Sequence, residues 1–149
     1  MELDALYQEV ILDHYRNPLH KKLLADYTAK VHHVNPSCGD EIDLAVSTDH
    51  DTIIDIGWDG IGCSISQASA SIASDLLIGK NTDEALLLIE EFNELMHSKG
   101  VRVGDEERLE DAVALSGVSK FPARVKCALL GWIAIKDSLA RSASQSQRN

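Results

Sequence analysis

Three cysteines and one aspartate place the strongest demand on how this chain folds, because they lie in three separate segments and make chemical sense together only if those segments meet. Cys38 and Asp40 lie in Asn35-Pro-Ser-Cys-Gly-Asp40, Cys63 in Gly60-Ile-Gly-Cys-Ser64, and Cys127 in Phe121-Pro-Ala-Arg-Val-Lys-Cys127. A thiolate and a carboxylate two residues apart turn toward one point when the backbone bends between them, and Pro36 and Gly39 allow that bend. If the three segments converge, the result is a four-ligand site of three sulfurs and one oxygen. That donor set suits tetrahedral zinc or an iron–sulfur unit, and not magnesium or calcium, which take oxygen ligands.

Between the cysteines the periodicity alternates in a way that sets the fold class. Leu3, Leu6, Tyr7, Val10, Ile11 and Tyr15 recur at helical spacing and stop at Asn17-Pro18, predicting a first helix. Tyr27 to Val34 reads as a strand, Ile42, Leu44 and Val46 alternate with polar residues, and Ile54, Ile56 and Trp58 resume after the turn residues Ser47 to Asp51. Helices follow over Ser64 to Ile78, over Asn81 to about Gly100, over Glu106 to Leu115, and from Pro122 onward with Val125, Leu129, Trp132, Ile133 and Leu139 as the buried stripe. The expectation is an α+β domain: a three-stranded antiparallel sheet packed against about five helices, one N-terminal and the rest C-terminal to the sheet. Residues 1–140 read as that single domain. Residues 141–149 have no apolar anchor and read as a disordered tail.

On these elements Cys38 and Asp40 precede a strand, Cys63 stands at a helix N-terminus that favours an anionic ligand, and Cys127 falls in the second turn of the last helix. Arg124, three residues before Cys127, shares its helix face and can stabilise thiolates or pair with a carboxylate. Spacing alone leaves a second reading standing, in which the three cysteines are inert apolar packing. His32 and His33 point to opposite faces of a strand, and neither is assigned to the site. His14, His20, His50 and His97 read as surface residues. The formal charge of -10 over 149 residues argues against nucleic acid or acidic lipid as a partner. The acidic start of the chain lacks the pattern of a secretory signal, and no apolar run approaches a membrane span, so a cytoplasmic location is expected.

Asn35-Pro-Ser-Cys-Gly-Asp40, Gly60-Ile-Gly-Cys-Ser-Ile-Ser66 with the Ala/Ser-rich helix after it, and the Lys126-Cys127 pair together resemble the U-type iron–sulfur cluster assembly family, IscU and the N-terminal part of NifU. The resemblance runs from the first helix to about Leu139. Within that family the chain is similar to the SufU branch. The segment between Cys63 and Cys127 is longer than in the scaffold type, Lys126 replaces a histidine, and Phe121-Pro-Ala-Arg124 stands where the scaffold branch has a proline-rich chaperone motif. The resemblance implies a zinc protein that accepts persulfide sulfur from a SufS-like cysteine desulfurase, with downstream cluster-assembly proteins as further partners. Carried over by position, Cys38, Asp40, Cys63 and Cys127 match the zinc ligands. Cys38 matches the sulfur acceptor, released when a desulfurase histidine takes its place on zinc, and Arg124 matches an arginine that docks the partner or tunes the thiolates. The competing expectation is a scaffold holding a [2Fe-2S] cluster on the same ligands. A purely structural zinc fits Asp40 less well, since closed structural sites prefer Cys and His.

Overall fold

The computed structural model describes residues 5–37, 39–102 and 104–148. Among them five α-helices and one three-stranded sheet follow the order helix, sheet, helices: α1 (Ala5–Arg16), β1 (Ala29–Asn35), β2 (Asp40–Asp49), β3 (Thr52–Ile61), α2 (Ser64–Leu77), α3 (Thr82–Met96), α4 (Glu106–Leu109), a 3₁₀ segment (Glu110–Lys120) and α5 (Pro122–Arg148). No described helix is long and apolar enough to cross a membrane.

The sheet is an antiparallel meander, β1-β2-β3. β1 closes on β2 with Asn35 opposite Asp40, and the turn between them is held by the Gly39 N–H on the Asn35 carbonyl at 2.9 Å, with Gly39 at φ +74°. The β2–β3 hairpin turns on His50 and Asp51, both at positive φ (49° and 65°), the backbone that a two-residue hairpin matching the strand twist requires. Its register shifts at Ser47/Thr48, where Ser47 faces Asp55 and Thr48 faces Ile53. Ile54 is the extra residue, so Ile53, Ile56 and Trp58 face the core while Ile54 is 53% exposed. The alternation expected for β3 put Ile54 inward, and the bulge reverses its face.

One face of the sheet is covered by α5, which also packs against α2 and α3. Gly131 lets α5 approach α2 closely, for a Cβ there would lie 3.0 Å from Ala70 Cα. Beside it Ser69 donates to the Ala128 carbonyl at 2.6 Å and accepts from Trp132 Nε1 at 2.8 Å. Trp132 stacks on Phe92 of α3 at 4.0 Å between centroids, fixing the orientation of two large fully buried side chains. Trp132 therefore takes its place in the expected stripe of α5, whereas Ile133 is 47% exposed.

Three further corrections concern local order. The helix expected over Glu106 to Leu115 keeps a single α-turn. Glu110 adopts φ 49°, and the chain continues as a 3₁₀ segment in which residues 112–119 are all buried. Small residues make that tight winding possible, and the Ser116 and Ser119 hydroxyls donate back to carbonyls three residues earlier at 2.6 and 2.8 Å. α5 runs on to Arg148, through most of the stretch expected as a disordered tail. Its anchor there is polar: Ser142, 3% exposed, shares a 2.7 Å hydrogen bond with Thr48 of β2. His14, expected at the surface, is 6% exposed. Its Nδ1 meets Ser71 Oγ and its Nε2 meets Asp111 Oδ2, each at 2.8 Å, and Ser71 Oγ also accepts the Leu19 N–H. The arrangement ties α1, α2 and the 3₁₀ segment together through one imidazole. His20, His50 and His97 are exposed, as expected.

Candidate metal centre

β2, α2 and α5 each deliver one side chain to a single point. Asp40 is the first residue of β2, and Cys63 immediately follows β3 and Gly62 as the N-cap of α2. Cys127 lies in the second turn of α5, behind Pro122, whose fixed φ suits a helix start. A carboxylate oxygen of Asp40 and the sulfurs of Cys63 and Cys127 all lie within 4.8 Å of one another. Asp40 and Cys127 are buried, at 1% and 3% exposed, while Cys63 is partly open to solvent.

Backbone groups aim the carboxylate. Asp40 Oδ1 accepts the Cys63 N–H at 3.0 Å, leaving Oδ2 on the sulfur side, 4.0 Å from Cys63 Sγ. One carboxylate thus satisfies an N–H at the start of α2 and presents its other oxygen to the thiols. Gly62 is needed for this approach: a Cβ on it would run into Asp40 Oδ1 and Ser66 Oγ. Ser66 Oγ is committed to the Cys63 carbonyl at 3.0 Å, so the first turn of α2 is braced on both sides of the cysteine.

Two soft sulfurs and one carboxylate oxygen fit zinc or iron and not a hard cation. Tetrahedral zinc, with bonds of about 2.0–2.3 Å, sets its ligand atoms about 3.5 Å apart, within reach of small side-chain rotations from this arrangement. The sequence-predicted residues divide as follows. Asp40, Cys63 and Cys127 are brought together, Arg124 is exposed in the first turn of α5, and Cys38 lies outside the described residues, between Ser37 and Gly39 of the β1–β2 turn. His32 pairs with Asp43 at 2.9 Å and His33 with Asp137 at 2.8 Å, and neither belongs to the metal-capable group.

The sequence matches the family model described as the NifU-like N-terminal domain over residues 6–128. It is 45% identical over 139 residues to the zinc-dependent sulfurtransferase SufU of Bacillus subtilis (strain 168), covering 93% of this chain and 92% of that protein. To the iron–sulfur cluster assembly scaffold protein IscU of Streptococcus pyogenes serotype M1 it is 43% identical, covering 96% and 88%. The fold matches the crystal structure of a candidate iron–sulfur cluster assembly scaffold protein for the SUF system from thermophilic Fervidobacterium islandicum AW-1, with a TM-score of 0.81, 32% identity, and 88% and 94% of the two chains covered.

Proposed function

Since this chain belongs to the NifU-like N-terminal domain family, we propose that it is a zinc-dependent sulfur acceptor in iron–sulfur cluster biogenesis, taking persulfide sulfur from a cysteine desulfurase. The observation that carries this reading is the convergence of Asp40, Cys63 and Cys127 from three segments, with Cys63 partly open to solvent. Cys38, Asp40, Cys63 and Cys127 are the residues that would hold zinc. When bound, the metal keeps the thiols deprotonated and shielded until the sulfur donor docks.

Cys38 is the acceptor. Its sulfur attacks the outer sulfur of the desulfurase persulfide, a new S–S bond forms on Cys38, and the donor cysteine leaves as a thiolate. Asp40 Oδ1 is held by the Cys63 N–H, so its other oxygen, Oδ2, is turned toward the Cys63 sulfur. Arg124, exposed beside this region, supplies positive charge for docking an acidic surface or for steadying the thiolates. The 45% identity to a protein named as a zinc-dependent sulfurtransferase over nearly the full length of both chains supports the reading.

Cysteine desulfurase turnover, measured with and without the purified protein, tests it. The rate rises with the native protein, and the rise disappears with Cys38→Ala; a rate unchanged by the native protein overturns the proposal. The names of two relatives favour a second reading, a scaffold that builds a [2Fe-2S] cluster on the same ligands. Anaerobic reconstitution with iron and sulfide separates the two. A brown protein whose cluster moves to an apo-acceptor supports the scaffold, and a colourless protein isolated with one zinc supports the sulfur acceptor.

A further inference from the structure

We propose that Cys63 and Cys127 form a reversible disulfide with each other when no metal ion holds them, so that the centre doubles as a thiol switch answering to hydroperoxides. Their sulfurs lie within 4.8 Å of one another, on helices that pack against each other. Ser69 Oγ of α2 donates to the Ala128 carbonyl of α5 at 2.6 Å, and a Cβ on Gly131 would lie 3.0 Å from Ala70 Cα. These contacts hold the two helices together beside the cysteines, and a disulfide requires the two sulfurs to close from within 4.8 Å to about 2 Å.

The difference in exposure assigns the roles. Cys63, partly open, meets the oxidant first; Cys127, 3% exposed, is shielded from it and resolves the intermediate. The Cys63 sulfur attacks the O–O bond of hydrogen peroxide. An S–O bond forms, the O–O bond breaks, and the departing hydroxide takes the thiol proton and leaves as water. The Cys127 sulfur then attacks the Cys63 sulfenic sulfur. An S–S bond forms, the S–O bond breaks, and the second hydroxide leaves with the Cys127 proton as water. Two thiols have lost two electrons, and the peroxide has been reduced to two waters. A dithiol reductant reverses the change by exchange. A bound ion would occupy both sulfurs, so ion and disulfide exclude each other; for that exclusion alone the proposal rests on the zinc reading.

The test uses the full chain, stripped of metal with a chelator, kept reduced, and exposed to one equivalent of hydrogen peroxide. Intact mass should fall by about 2 Da as two thiols are lost, non-reducing peptide mapping should find Cys63 linked to Cys127, and dithiothreitol should restore the mass. The link should form equally in Cys38→Ala, and in Cys127→Ser a sulfenic-acid trap should label Cys63 instead. Protein loaded with zinc beforehand should oxidise at least about tenfold more slowly. A link that joins Cys38 to either residue, sulfinic acid without a link, or thiols that remain unchanged overturns the proposal, and the wild-type map decides this even if Cys127→Ser does not fold. Zinc content of the reduced sample keeps the two readings apart. A protein that binds no zinc yet forms the link overturns the zinc reading alone, and one that binds zinc yet forms no link overturns the switch alone.

Discussion

At the residue scale Asp40 holds two positions at once, and substitutions can separate them. Asn in its place still offers an oxygen to the Cys63 N–H but loses the anionic ligand, whereas Ala loses both. On the zinc reading, Asp40→Asn lowers zinc affinity on the order of 100-fold, as read by chelator competition. The melting temperature of its metal-free form should stay close to that of the wild type, while Asp40→Ala should lower both. Gly62→Ala acts on the same carboxylate from behind, because the added methyl meets Asp40 Oδ1 and Ser66 Oγ. It should cost about 1–3 kcal/mol in urea unfolding and weaken zinc binding with it. Asp40, Cys63 and Cys127 were legible as partners because thiols and a carboxylate beside bend residues carry chemistry visible in a single chain. The burial of His14 was not. It shares the inward face of α1 with Tyr7 and Ile11, but what makes an imidazole acceptable there is Ser71 and Asp111, 57 and 97 residues away. No local spacing announces such partners.

At the scale of elements, the strands and helices followed from periodicity, and the differences arose where one residue alters the period. The extra residue at Ile54 turns a strand face over, and the positive φ of Glu110 ends the expected helix and lets a 3₁₀ run follow. α5 exceeds its expected length because its last described anchor, Ser142, is a hydroxyl and not an apolar side chain. The clamp between β1 and α5 makes a prediction here. His33 donates to Asp137 at 2.8 Å, and this hydrogen bond, with a smaller contribution from Arg141, holds the Asp137 carboxyl below its ordinary range against the opposing effect of burial. A carboxyl depressed in the folded state contributes stability above its unfolded value of 3.8, and that contribution is lost as pH falls through the lower folded value. Asp137→Asn should therefore be less stable than the wild type at pH 7. The difference should shrink in acid, to nothing below the folded value, when urea midpoints are compared across pH. A difference that stays constant with pH would assign the loss to packing instead.

At the scale of the whole molecule, the candidate centre lies where the sheet, α2 and α5 begin or end, so an ion held there cross-links three parts of the fold that are distant in the chain. The resemblance of the motifs was enough to place the chain in its family; what it could not convey is how the crossing of α2 and α5, set by Ala70 and Gly131, fixes the distance between two of the ligands. Because the unfolded chain has no preformed site, binding energy becomes folding energy. Zinc at about a thousand times its dissociation constant stabilises the folded state by about 4 kcal/mol. For a chain of this length that raises the melting temperature by about 8–16 °C. Scanning calorimetry of metal-free protein, before and after one equivalent of zinc, should show a shift of that order, reversed by chelator and abolished in Cys63→Ser and in Cys127→Ser. Asp137→Asn, outside the three-ligand group and held by His33 of β1 instead, should begin from a lower temperature and show the full shift. A melting temperature indifferent to zinc would mean that the three side chains meet without holding an ion, and the sulfur-acceptor reading would lose its metal.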